Sequence, residues 1–374
     1  MTTAGPEADP GEIGGHGIQR IWRAAVALYR SGVHPAVQVC VRRDGAVVLD
    51  RTIGHARGNG PSDAPGAQKV LATPETPFLI YSASKAITAL LVHKLHERGL
   101  LDISAPVSEY IPEFHRHGKA EITIGHVLAH RAGVPSLPRE AVDLDRVGDR
   151  EFMVRALCEA RPFAPPGRFL AYHAVSGGYI LAEVVHRVTG RDIRAVLAEE
   201  FLAPLRFRWT GYGVRQDDLS KLALNYVTGP PTAPPLAQLA TRALGLPLDE
   251  LVSASNDERF LTAIIPSANV VTTARELSLG FPTRFSYGLM LGARVLSLYG
   301  RDTQHAFGHL GFTNMLAWAD PQRGLSCAVL TNGKPILYPE LPRFYGLMQR
   351  ITSESPKVAG SQMRVWDPKA GRPR

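Results

Sequence analysis

The order of strand-like and helix-like runs constrains this chain's fold more than any other feature. Val37 to Val41 and Ala46 to Asp50 are apolar runs rich in valine, separated by Arg42-Arg43-Asp44-Gly45. An Asp-Gly pair between two such runs predicts a hairpin, because both residues tolerate positive φ. Near the other end, Asn314 to Ala319 and Leu325 to Thr331 read as strands joined by Asp320-Pro321-Gln322-Arg323-Gly324. Strands at both ends with helices between them predict an α/β protein of the α+β type. The expected architecture is an antiparallel sheet flanked by helices, built from both termini, with an inserted mainly helical domain. The expected boundaries are 17–110 and 265–352 for the mixed domain and 111–264 for the helical one. Residues 1–16 and 353–374 are expected to be a flexible N-terminus and a flexible tail.

Helices are marked by apolar spacing and by their stops. One is expected from Ile18 to Ser31, and another from Ser82 to about Arg98, ended by Gly99 as a C-cap. A short helix from Ile124 to Ala129 takes Thr123 as its N-cap. A longer one runs from Ser176 to Thr189 and stops at Gly190, and a last one spans about Pro339 to Ile351. Residues 209–264 are loop-rich and contain Gly229-Pro230-Pro231-Thr232-Ala233-Pro234-Pro235. Part of this segment is expected to overhang a site as a lid.

The chain has 374 residues, enough for one large domain or two closely packed ones. Its 45% hydrophobic and 20% charged residues are those of a soluble globular protein. No apolar run has the length of a membrane span. Met1 to Gly15 lacks the basic start and apolar core of a secretory signal, so a cytoplasmic protein is expected. The net charge of +8 does not point to nucleic acid, because the basic residues are scattered and not interleaved with aromatics. Arg364, Lys369, Arg372 and Arg374 do cluster, but in the tail. Cys40, Cys158 and Cys327 have no metal or redox spacing. Cys40 and Cys327 lie in strand-like runs and read as buried free thiols.

The chemistry-bearing feature is Tyr81-Ser82-Ala83-Ser84-Lys85, a Ser-x-x-Lys pair at the head of a helical pattern. Residues three apart on a helix share a face, so Ser82 and Lys85 can touch. A serine hydroxyl is a weak nucleophile alone, and a neighbouring amine helps to remove its proton. The helix N-terminus favours the negative charge that then develops. By itself such a pair is commonly just solvated helix surface. Two further stretches add to it. Tyr172 follows the Pro165-Pro166-Gly167 turn, and a phenol beside a cation can act as a phenolate base. In Gly308-His309-Leu310-Gly311-Phe312 the glycines let the backbone approach a ligand and aim N–H groups at it. A lone tyrosine is more often a core residue, and a Gly-His-x-Gly run more often a plain turn.

Taken in order, these segments resemble the serine β-lactamase and penicillin-binding-protein superfamily, and within it the class C β-lactamase-like carboxylesterases, the family VIII esterases. Ser82-x-x-Lys85 matches the first motif. Ile122 to Val134, containing Leu128-Ala129-His130-Arg131-Ala132-Gly133, resembles the Leu-Leu-x-His-x-x-Gly segment. Tyr172 matches the tyrosine of the Tyr-x-Asn motif, and Pro266 to Leu277 resembles the Ser-Thr-Ala-x-Asp-Leu stretch. His309-Leu310-Gly311 stands in place of Lys-Thr-Gly. The resemblance implies a β-lactamase/transpeptidase-like fold and acyl transfer through an acyl-enzyme on Ser82. Lys85 and Tyr172 would move the proton between them. The backbone N–H groups of Ser82 and Phe312 would form the oxyanion hole, and His309, Leu310 and Gly311 would contact a small-molecule ester substrate. No metal or organic cofactor is implied, and a homo-oligomer is left open.

Two departures bear on the substrate. Ala174 replaces the asparagine of Tyr-x-Asn, removing an amide that can grip a substrate amide. His309 replaces the lysine that helps to hold a β-lactam's carboxylate. Both weaken a β-lactamase reading and fit an esterase; the alternatives are a β-lactamase or D-amino-acid peptidase or amidase, an acyltransferase and, against the intact Ser82, Lys85 and Tyr172, a non-catalytic scaffold. A Gly-x-Ser-x-Gly elbow is absent, which closes the α/β-hydrolase route. His126 and His130 have the spacing of half a zinc site, but Val127 stands where a metalloprotease helix carries its glutamate. They read as structural histidines near the site. His93, His96, His115 and His117 read as surface residues.

Overall fold

The computed structural model describes all residues except 139, 140, 142, 232, 233, 235–237, 239–245, 279–286, 338, 359–365, 368–371 and 374. The two strand-rich ends of the chain meet in one sheet of eight strands. Its strands are β1 (Thr2–Ala4), β2 (Ala36–Arg43), β3 (Ala46–Arg57), β4 (Val70–Leu71), β9 (Met290–Leu291), β10 (Phe307–Leu310), β11 (Leu316–Asp320) and β12 (Leu325–Thr331). Their order is β1-β3-β2-β12-β11-β10-β9, with β4 beside β3. Every pairing in it is antiparallel. The ends of the chain join where β12 lies on β2, with Ala328 opposite Cys40. The hairpin between β2 and β3 turns at Asp44 and Gly45, both with positive φ, as the Asp-Gly pair predicts.

Five helices of ten residues or more stand among the described residues: α1 (Gly14–Tyr29), α2 (Ser84–Glu97), α3 (Arg150–Glu159), α4 (Ser176–Thr189) and α5 (Leu341–Glu354). Strand alternation feeds two cores, one on each face of the sheet. Val37, Val39 and Val41 pack with Ile21 and Leu28 of α1 and with Leu347 and Ile351 of α5. Cys40, Ala328 and Leu330 face the other way, toward Leu91 and Leu95 of α2 and Val184 and Val185 of α4. Each fully buried leucine, isoleucine or valine contributes about 1.5–3 kcal/mol. The three cysteines are free and buried, and burial pushes the Cys40 thiol up to about 12.

Two expectations need correction. The N-terminus is bound in place where a flexible one was expected. β1 pairs with β3, the Gly5 N–H donates to Asp50 O at 2.8 Å, and Glu7 bridges Arg51 at 2.8 Å. The free edge of β3 offers unpaired backbone groups, and even a three-residue strand satisfies them. At the other end α5 continues to Glu354, and the Val358 N–H donates to Gln322 O at 2.9 Å. The expected flexible tail is therefore pinned as far as residue 358. Beyond it only two short strands are described, β14 (Trp366–Asp367) paired with β15 (Arg372–Pro373).

Part of the segment expected to carry a lid is strand-paired. β6 (Gly211–Tyr212) pairs with β8 (Val270–Thr272), which pairs with β5 (Phe78–Leu79). β7 (Tyr226–Val227) pairs in parallel with β13 (Gly333–Lys334). Residues 211–227 are thus bonded into the body of the molecule. The Pro-rich loop at 229–235 lies partly outside the described residues.

Candidate active site

β5 delivers the chain to a single 3-10 turn, Tyr81–Ala83, and α2 begins at the next residue. Ser82 sits in that turn. Tyr81, just before it, has φ +48°, a region costly for a bulky side chain. It is held there on two sides: its hydroxyl pairs with Ser255 Oγ at 2.7 Å, and its ring lies 5.4 Å from that of Phe312. Ser84 Oγ accepts the Val270 N–H at 2.9 Å and ties the head of α2 to β8.

One turn along, Lys85 is buried, and its Nζ lies 3.3 Å from Ser82 Oγ. The amine donates to Ala174 O at 2.7 Å and to Ser267 O at 3.0 Å. Among the described residues no carboxylate pairs with it. Burial without a counter-ion pushes its pKa down to about 7. A neutral amine has two hydrogens and one lone pair. When the amine is neutral the two carbonyls can take both hydrogens, which leaves the lone pair for the Ser82 hydroxyl. Ser267 comes this close because α4 opens on small residues: a Cβ on Gly178 would stand 2.3 Å from Ser267 Oγ.

Tyr172 completes the group. Lys85 Nζ is 4.9 Å from its ring centroid, and Ser82 is close enough to its hydroxyl to act on its pKa. Its ring edge remains open to solvent, while burial of the hydroxyl pushes the phenol above its ordinary value and the Ser82 contact works against that. It is therefore a phenol at neutral pH, not the phenolate a nearby cation would produce. His130 lies tilted against the Tyr172 ring, 4.7 Å between centroids, and its Nδ1 accepts the His173 N–H at 3.1 Å. The His173 Nδ1–H donates to Ala171 O at 2.7 Å, and its Nε2 accepts the Val134 N–H at 3.3 Å. Burial pushes His130 down to about 3 and His173 to about 4, so both rings are neutral. His126 is elsewhere engaged, accepting the Thr123 N–H in a capping box. The spacing that suggested half a zinc site thus serves a helix cap and a stacking contact. Among the described residues no cluster could hold a metal.

The opposite wall is the β10–β11 hairpin. His309 is buried, and its Nδ1–H donates to Leu310 O at 2.6 Å. Burial pushes it down to about 4, and the charge of Lys85 acts in the same direction. Leu310, expected at the substrate, packs instead with the core on the far face of the sheet. Strand neighbours point to opposite faces, so His309 and Leu310 cannot both face the cleft. Gly311 allows a close approach: a Cβ there would stand 2.8 Å from Ile80 O. Its N–H closes the turn on Met315 O at 2.7 Å, and within the turn Thr313 and Asn314 both have positive φ. Phe312 is thereby brought beside Tyr81, the residue before Ser82. Neither the Ser82 nor the Phe312 N–H donates to another backbone group among the described residues. A cavity of about 70 Å³ runs alongside, between Ala83, Ala86 and Leu90 at the head of α2 and Phe307, His309 and Trp318 of the sheet.

Sequence reasoning missed the two carbonyls that hold Lys85, the support of Tyr172 by His130 and His173, and a second buried lysine, Lys334. A carbonyl carries no residue-type signal, so the first of these left no trace in the sequence.

The beta-lactamase family model matches residues 21–343, and the chain belongs to this family of serine hydrolases. It is 28% identical over 322 residues to the esterase/beta-lactamase LipL of Mycobacterium tuberculosis, covering 73% of each chain. Among solved structures it resembles a penicillin-binding protein homolog from Caulobacter crescentus, with TM-score 0.75 and 24% identity over 93% of this chain and 99% of that one. It also resembles a family VIII carboxylesterase, with TM-score 0.76 and 22% identity over 94% of this chain and 100% of that one. No helix among the described residues is long and apolar enough to cross a membrane.

Proposed function

We propose that this protein cleaves carboxylic esters through an acyl-enzyme on Ser82. The observation that carries the reading is the setting of Lys85: a buried amine with no carboxylate partner among the described residues, its Nζ 3.3 Å from Ser82 Oγ and its pKa pushed down to about 7 by burial. Ser82 Oγ attacks the ester carbonyl as its proton passes to Lys85 Nζ. The N–H groups of Ser82 and Phe312 receive the oxyanion. The Tyr172 hydroxyl gives its proton to the departing alkoxide and regains one from Lys85, and the C–O bond to the alcohol breaks. Water then attacks the acyl-enzyme, loses a proton by the reverse route, and frees the acid and Ser82.

Esters are favoured over β-lactams and peptides by the charge and shape of the walls. His309 is a neutral imidazole where a carboxylate-binding lysine would stand, and Ala174 has no side-chain amide to grip a substrate amide. The test is turnover of p-nitrophenyl butyrate by the intact protein and by Ser82→Ala. Loss of activity and of fluorophosphonate labelling in the variant is expected. Undiminished turnover, or nitrocefin hydrolysed as fast as the ester, overturns the reading.

A further inference from the structure

Lys334 is a second buried lysine, and the mechanism above gives it no part. It lies in β13, fully enclosed. Its Nζ donates to Thr331 O at 2.8 Å, and lies 3.0 Å from Met315 Sδ and 3.4 Å from Phe312 O. It stands over the face of the Tyr81 ring, 5.1 Å from the centroid. Among the described residues no carboxylate pairs with it. A buried amine without a counter-ion is a poor stabiliser, and an apolar side chain of similar length usually does at least as well. Its retention calls for a reason other than stability.

The contacts supply one. Two N–H groups are proposed to receive the oxyanion, one from each side of the cleft. On the nucleophile side the chain passes through Tyr81 at φ +48°, and on the hairpin side through Thr313 at +48° and Asn314 at +53°. Such backbone persists only where its surroundings hold it. Lys334 touches both sides: the Tyr81 ring on one, Phe312 and Met315 on the other, with Thr331 at the end of β12 as its anchor. We propose that Lys334 is a positioning residue that keeps the Ser82 and Phe312 N–H groups in register. The inference rests on the acyl-enzyme reading, and its test is arranged to separate the two.

The experiment is Lys334→Met in the full chain, with active sites titrated by fluorophosphonate burst. The variant is expected to melt no lower than the parent. Its kcat per titrated site should fall about 10- to 100-fold, as for the loss of oxyanion alignment, with KM within about two-fold. The acid limb of the pH profile should keep its midpoint, because Ser82 and Lys85 are untouched. A trifluoromethyl ketone, which mimics the tetrahedral state, should lose affinity in proportion to kcat. A kcat per site within two-fold of the parent, or a loss that only follows the titrated fraction, overturns the proposal. Lys334→Gln cannot span from Thr331 to Phe312, so it should show an intermediate loss, and the same criteria decide the case on it if the methionine variant does not fold. Failure of the acyl-enzyme reading would show separately, as a parent protein that Ser82→Ala does not silence.

Discussion

The cleft and the groove between α3 and α4 treat charge in opposite ways. In the groove, Glu183 is buried and receives Arg150 and, at 2.7 Å, Arg187, while Arg116 and His117 converge on Glu159. Every cation named there has an acid in reach. In the cleft, Lys85, His173 and His309 are buried and His130 half-buried with none, and all four are pushed down from their ordinary values, chiefly by desolvation. Pairing keeps a group charged and structural. Burial without pairing leaves it neutral, with a lone pair to offer. The same residue types thus do different work according to whether a carboxylate stands opposite.

The sharpest break of this contrast is Lys85→Met. Removing a general base costs about 10²- to 10⁴-fold, so kcat/KM for p-nitrophenyl butyrate should fall roughly 10³-fold. The pH profile carries the sign. Only the neutral amine accepts a proton, so activity of the parent should rise with pH through about 7 and level off above it. The variant's residual activity should lack that limb. A parent profile still rising steeply at pH 9 would mean that the amine keeps an ordinary lysine pKa and that its burial is not felt.

The groove predicts a different loss. Glu183→Gln leaves Arg150 and Arg187 without their shared acid, but both guanidinium groups remain partly in water, at 39% and 40% exposure. The cost should be about 2 kcal/mol, that of charged hydrogen bonds lost. Thermal unfolding should shift down by a few degrees while kcat and KM stay put. A change in kcat with no change in stability would show that the two regions are coupled.

How far the sequence showed all this depended on whether a feature had a period or a residue type. The hairpins and the joining of both ends were legible because alternation of apolar residues and an Asp-Gly turn leave a pattern. The helix stops at Gly99 and Gly190 were legible for the same reason, both with positive φ. Ser82 and Lys85 were legible as neighbours because helical spacing dictates it. Tyr172 was legible only through resemblance, since nothing in its own surroundings distinguishes it from a core tyrosine. The N-terminal strand was not legible: Thr2-Thr3-Ala4 is too short to carry a period, and it forms because β3 offers an edge. Lys334 was not legible either. In Gly333-Lys334-Pro335 a lysine reads as surface, and only the return of β13 under the hairpin buries it.

The smallest expected effect tests how closely the cleft's groups sense one another. His309 and Lys85 share the cleft, and each proton held on one disfavours a proton on the other. His309→Lys puts a second amine where a neutral ring now lies. Like charges in a dry site disfavour joint protonation, so the midpoint of the acid limb should move down by about one pH unit. The ring now satisfies Leu310 O through Nδ1–H, and a lysine can also donate there, so the hairpin need not rearrange. Rates measured from pH 5 to 8 decide the matter. A limb that stays at about 7 would mean that solvent screens the two positions from each other, and the cleft would then be wetter than its buried, unpaired groups require.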